Sequence, residues 1–147
     1  MTRPLDETRV EAVRTGFAKQ GLMHTLGAQL GEIGAGRCEI DLPFAPGVAQ
    51  QHGFFHGGVV AALADNAAGF AAYTLMEEGR QPLTIEFKIN FLAPAKGERL
   101  IAVSTILAPG RRIFHASSEV SAIRDGETAP AAAALVTVKS VATVSEI

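Results

Sequence analysis

An α+β fold, in which one long central helix is wrapped by a curved antiparallel sheet of about six strands, is predicted by three observations. The stretch "HGGVVAALADNAAGFAAYTLM" is small or apolar nearly all round, so a helix there must be covered on most sides. The run "LTIEFKINFL" alternates with a period of two. Three further runs rich in β-branched and apolar residues follow it, separated by turn chemistry. A helix of about 22 residues is about 33 Å long and strands of about ten residues span a similar distance, so helix and sheet match in length.

The elements follow in order. Residues 6–20, "DETRVEAVRTGFAKQ", place Val10, Val13, Phe17 and Ala18 near helical spacing, with Gly21 as the stop, so residues 1–21 form a leading helix segment. "LGAQLGEIGAGRCEIDLP" suits two strands joined by a tight turn at 34–36, the second ending at Pro43. "FAPGVAQQHGFF" reads as a loop into the long helix, expected from about His56 to Glu78 and closed by Gly79 and Pro82. In the next strand, Leu83, Ile85, Phe87, Ile89 and Phe91 share one face, and Thr84, Glu86, Lys88 and Asn90 the other. Strands around 99–107, 112–124 and 132–144 complete the sheet, with "APGRR" and "DGETAP" as turns.

Composition bounds the function. With 147 residues, 48% hydrophobic and 19% charged, the chain is expected to be one domain spanning residues 1–147, with a sizeable core. A net charge of −2 lacks the basic excess that a phosphate backbone demands, so nucleic acid is not an expected partner. The apolar run from Val59 to Met76 approaches a bilayer span in length, but Asp65 and Asn66 lie at its centre and much of it is Ala and Gly. No membrane partner is expected. The single cysteine, Cys38, and the charged start "MTRPLDETRVEAV" point to a cytoplasmic protein.

Two features of the long helix carry chemistry. Gly57 and Gly58 lie where loop becomes helix, and the first helical N–H groups have no partner within the helix. With the helix dipole behind them they make a place for a carbonyl oxygen that becomes an oxyanion; the alternative is a tight turn and nothing more. Asp65 is the second feature, because burying a lone carboxylate costs several kcal/mol unless something compensates. A functional carboxylate in a cleft would explain it, as would a kink, a solvated notch or a structural hydrogen bond. Asp65 is eight residues past Gly57, about 12 Å along the axis, so it cannot reach a carbonyl held by its own helix terminus. If the two groups cooperate they belong to different chains, which predicts an obligate homodimer with two sites about a twofold axis.

The segment "HGGVVAALAD", with His56, Gly57, Gly58 and Asp65, resembles the signature of the hotdog-fold acyl-CoA thioesterases of the phenylacetate-degradation and thioesterase superfamily member 2 type. The order of elements agrees, and the resemblance covers roughly residues 17–144. It implies hydrolysis of an acyl-coenzyme A to free acid and CoA, with no cofactor. It further implies that the Gly57 N–H polarises the thioester carbonyl while Asp65 of the other subunit acts as nucleophile or general base. A polar residue six positions before the motif histidine, usually asparagine, helps hold the carbonyl or the water; here that place is Gln50, one bond longer, with Gln51 as competitor. Thr84 matches a residue that positions the water, and His56 a hydrogen-bonding residue of the turn. Pairing of dimers into tetramers through outward sheet faces is common in the family.

An acyl-CoA substrate suggests further contacts. Phe54, Phe55, Phe70 and Tyr73 flank the motif and could line an acyl pocket, while Arg111, Arg112, Lys96, Arg99 and Lys139 could meet the phosphates of the carrier. A helix-borne His52/His56 metal pair is disfavoured by Gly53, and a serine triad by the absence of a G-x-S-x-G elbow, so no metal is expected. His24, His115 and Cys38 read as ordinary surface or core residues. Rival functions are a non-catalytic acyl-CoA-binding module and an acyl-thioester hydratase or dehydratase, the latter needing a paired acid and base that the lone helix aspartate does not supply. Chain length and shape of the acyl group are not legible.

Overall fold

Residues 4–142 are described by the structure, a computed structural model. The central helix α3, Gly57–Tyr73, lies in the concave face of one six-stranded antiparallel sheet. The strands are β1 Gln29–Gly34, β2 Arg37–Pro43, β3 Gln81–Phe91, β4 Arg99–Ala108, β5 Ile113–Arg124 and β6 Glu127–Val141, in spatial order β1-β2-β4-β5-β6-β3. Ahead of them come α1, Glu7–Ala18, and α2, Gly21–Leu26. Gly21 therefore opens a second short helix instead of ending the ordered segment. His24, expected near the first strand, lies in this helix, which stops at Gly27 in the left-handed conformation with φ 80°.

Small residues let the helix sit deep in the sheet. Leu63, Ala64, Ala67, Ala68, Ala71 and Ala72 are fully buried against Ile40, Leu42, Leu100, Ala102, Ala116 and Val138. The Ser118 hydroxyl of β5 donates to the Ala64 carbonyl at 2.8 Å, tying the middle of the helix to the middle of the sheet. The sheet covers one side only. Gly58, Ala61, Ala62, Asp65, Gly69 and Tyr73 form a stripe that stays partly open, so the helix is not enclosed all round.

The helix ends five residues before the expected Glu78. The Thr74 hydroxyl donates to the Ala71 carbonyl at 2.6 Å and accepts the Gly36 N–H at 2.8 Å, and the N–H groups of Leu75 and Met76 bond three residues back. A tightened last turn replaces the helical continuation. It also locks the helix end to the β1–β2 turn, where Gly36 has φ 71°.

Two strands depart from a simple alternation. In β3, Thr84 pairs with Val138 and Glu86 with Thr137, leaving Ile85 as an extra residue in a β-bulge. The bulge puts Thr84 on the helix-facing side together with Phe87, Ile89 and Phe91. The expected division into an apolar 83–85–87–89–91 face and a polar 84–86–88–90 face therefore holds only beyond residue 85. In β6 the strand begins at Glu127, because the β5–β6 turn is just Asp125 and Gly126, both with positive φ, and "ETAP" is already strand. The expected residues 143–144 of this strand lie outside the described residues.

At the sheet's edge, β3 pairs only with β6. Its apolar side chains are conspicuously open: Ile85 is 54% exposed, Phe87 42%, Phe91 55%, and neighbouring Leu92 58%. A long free edge bearing such side chains is a template for another chain.

The Thr74→Val protein keeps shape but leaves the buried Gly36 N–H without its acceptor. It should lose about 1–3 kcal/mol of unfolding free energy, read from the shift of the urea midpoint at unchanged slope.

Candidate active site

Asp65 is half-buried on the open stripe of α3, and the Thr84 hydroxyl donates to its Oδ1 at 2.6 Å. The bulge at Ile85 makes this contact: with unbroken alternation Thr84 would point away from the helix. The carboxylate thus has one oxygen held by a neutral donor. Both residues line a cavity of about 790 Å³, together with Asn66, Gly69, Phe70 and Tyr73 of α3, Gln81 and Pro82 of β3, and α1 residues that include Thr15 and Gly16.

The helix start lies elsewhere. His56 is the N-cap, its Nδ1 accepting the Gly58 N–H at 2.8 Å. That bond uses the second glycine's donor and assigns His56 a capping role. No acceptor among the described residues takes the Gly57 N–H, and the Phe91 ring lies 3.4 Å from where a Gly57 Cβ would be. Gly57 lines a separate cavity of about 530 Å³ with Gln50, Phe54, Phe55, Val60, Phe91, Leu92 and Ala95.

The loop before the helix is pinned at both ends. An isolated bridge joins Ala49 to Phe55, the His56 N–H reaches the Val48 carbonyl at 2.9 Å, and the Phe55 N–H reaches the Ala95 carbonyl at 2.9 Å. Within it the Gln50 Oε1 accepts the N–H groups of His52 (2.5 Å) and Phe54 (3.3 Å), which leaves the amide nitrogen as the end with free capacity. Gln50 lines the Gly57 cavity, and a donor there suits a carbonyl oxygen. Gln51 is exposed in the turn and does not line that cavity. His52 also lies in this exposed turn, where Gly53 has φ 81°, so it shares no helix face with His56.

The remaining candidates divide between core and two ends of the sheet. Phe55 is buried edge-on against Phe44 at 5.2 Å, and Phe70 is buried against Phe17 at 5.9 Å with the rings tilted by 52°. Arg9 covers the Tyr73 ring at 4.9 Å. The Ile113–Lys139–Leu83 row puts the exposed Arg111 and Arg112 turn, and Lys139, at the sheet end that carries Thr84. Lys96, over the Phe54 ring at 5.6 Å, and Arg99, ion-paired with Asp41, stand at the Gly57 end. Within one chain the five cations do not form one cluster.

Three features escaped the sequence reading. The α1 wall of the Asp65 cavity did so because contact between distant helices leaves no local signal. Asn66 Nδ2 is buried with no hydrogen-bond partner among the described residues. The third, Gly69, follows Asp65 by one turn on the same stripe; a glycine inside a helix was the available clue. Cys38 is a core residue in β2, and burial pushes its thiol from 9.0 up to about 12, more than the opposing pull of Arg37.

Comparison with known proteins places the fold among thioesterases. The family model described as Thioesterase superfamily matches residues 52–129, which include His56, Gly57, Asp65 and Thr84. The crystal structure of a thioesterase family protein from Silicibacter pomeroyi superposes with a TM-score of 0.89 at 41% identity, covering 90% of this chain and 98% of that one. A medium/long-chain acyl-CoA thioesterase of Escherichia coli is 36% identical over 78 residues, 44% of this chain and 50% of that protein. A relative from Haemophilus influenzae is 30% identical over 88 residues, covering 60% of this chain and 64% of its own length.

Because the Cys38 thiol stays protonated far above neutrality, Ellman's reagent at pH 8 should leave native protein unmodified and label one thiol after unfolding in guanidinium. Between pH 9.0 and about 12 the unfolded chain sheds this proton and the folded one keeps it, so stability should fall as pH rises through that window.

Proposed function

The chain belongs to the thioesterase superfamily and has its hotdog architecture, and from that premise we propose that it hydrolyses acyl-coenzyme A thioesters at a site shared between two copies. The observation that carries this reading is the Asp65–Thr84 hydrogen bond inside a large cavity, on the same helix whose Gly57, its N–H without a partner among the described residues, lines a second cavity about 12 Å away along the axis.

The free edge of β3 supports the pairing. α3 and β3 run in opposite directions, Gly57 beside Phe91 and Asp65 beside Thr84. A twofold axis near the middle of β3 lays the Thr84 end of one copy beside the Phe91 end of the other. Each Asp65 then faces the partner's helix start, and the exposed Phe87, Phe91 and Leu92 are covered. The same operation brings Arg111, Arg112 and Lys139 of one chain toward Lys96 of the other, so cations from both chains flank the mouth.

In this arrangement the Gly57 N–H and the Gln50 amide nitrogen hold the thioester oxygen. Asp65 supplies the attack on the carbonyl carbon, either by taking a proton from water or through its own oxygen, while Thr84 orients the carboxylate. The electron pair moves onto the carbonyl oxygen, where the helix start stabilises it, and returns as the carbon–sulfur bond breaks. In the general-base route the proton that Asp65 took from water passes to the sulfur, so CoA leaves as its thiol and the acid is free. In the nucleophilic route water protonates the departing thiolate and hydrolyses the acyl–Asp65 anhydride to the free acid and the carboxylate. The Escherichia coli relative is named for medium- and long-chain acyl-CoA, and a cavity walled by Phe70, Tyr73 and Pro82 suits such apolar acyl groups.

Release of free thiol from an acyl-CoA panel tests the proposal. Asp65→Ala should abolish turnover while acyl-CoA still binds. Gly57→Pro should lower kcat by about 10²–10³, since proline removes this one N–H yet is well accepted at the first helical position, after a residue already extended at ψ 137°. Full activity in either variant contradicts the assignment.

A further inference from the structure

Gly69 sits inside α3, one turn before its end, with no packing reason within the protomer to lack a side chain. A Cβ built there meets nothing within 4 Å. Gly97 and Gly110 differ: a Cβ would lie 2.1 Å from the Ile123 carbonyl oxygen in one and 1.9 Å from the Ile113 carbonyl oxygen in the other. Nor does the backbone demand glycine, because residue 69 has no positive φ. A glycine here weakens the helix relative to alanine, and no contact among the described residues offsets that loss.

The cavity supplies a reason. Gly69 lines it one turn beyond Asp65, with Tyr73 one turn further. Helical side chains lean toward the N-terminus, so any side chain at 69 would lie over the turn that carries Asp65 and Asn66. The space left open is the approach to the carboxylate from the Tyr73 side. Thr15 of α1 and Pro82 of β3 line the same space.

Resting on the reading of Asp65 as the attacking group, we infer that Gly69 is a specificity-determining residue: the space over it seats the acyl carbons next to the reacting carbonyl. The Asp65–Gly69–Tyr73 stripe runs about 12 Å, so it receives acyl groups several carbons long or carrying one ring, and it has no use for an acetyl group. Alanine at 69 narrows the seat and a leucine side chain fills it.

The test compares the full-length protein with Gly69→Ala and Gly69→Leu. Turnover is measured with acetyl-, butyryl-, octanoyl- and phenylacetyl-CoA, and binding of the non-hydrolysable thioethers S-ethyl-CoA and S-octyl-CoA by calorimetry. Gly69→Ala should raise Tm by about 2 °C with the oligomeric state unchanged. Gly69→Leu should lower the octanoyl-to-acetyl ratio of kcat/KM roughly tenfold or more and weaken S-octyl-CoA while S-ethyl-CoA binds as before. Two results overturn the inference: unaltered ratios in a folded Gly69→Leu protein, or loss of oligomer with an equal fall for every substrate, which makes position 69 a chain–chain contact. If the wild type releases thiol from no acyl-CoA, the reading of Asp65 fails; the thioether ratio still decides the role of Gly69.

Discussion

The length of a rigid helix governs this molecule. α3 cannot bend its own start back onto its middle, so the Gly57 N–H and the Asp65 carboxylate stay about 12 Å apart along the axis in any single chain. Thioester hydrolysis needs an oxyanion donor and an attacking group within a few ångströms of one carbon. The proposed twofold pairing would remove the separation that defeats one chain. The same pairing would cover Phe87 and Phe91, which β3 leaves 42% and 55% exposed at the free edge of the sheet.

Around that helix, packing and chemistry divide by side. On the sheet side, alanines allow close approach, and the Ser118 and Thr74 hydroxyls fix the helix in depth and at its end. On the open side the sequence forgoes stability: an orphaned Asn66 amide and a helix-interior glycine lie there beside the Asp65 carboxylate. The first two are individually unfavourable, and all three border one cavity. Concentrated local costs of that kind mark a functional surface.

Much of the fold was legible because period and turn chemistry are local. The alternation after Ile85, the β1–β2 turn and the apolar central helix all follow from neighbours within a few residues. What escaped is what breaks a period or spans the chain. The bulge at Ile85 reverses the facing of Thr84, so strict alternation misplaced the residue that touches Asp65. Thr74 stopped α3 early through a bond to Gly36, 38 residues away. At the site, the His-Gly-Gly cap and the Asp65 spacing were readable, whereas Gln50 and Gln51 differed only once the loop was closed by its Oε1 bonds. The five cations looked alike in sequence and separated to two ends of the sheet once register was known.

The central claim is that one working site takes Asp65 from one chain and Gly57 from another, and chains mixed within one dimer address it most directly. Asp65→Ala and Gly57→Pro proteins, each inactive alone, are unfolded together, refolded at equal concentration and assayed for thiol release. A shared site predicts that activity returns to about a quarter of the wild-type level, because half the dimers are mixed and each of those holds one site with both groups intact. A mixture as inactive as its parents, with mixed dimers shown by mass spectrometry, would contradict the account.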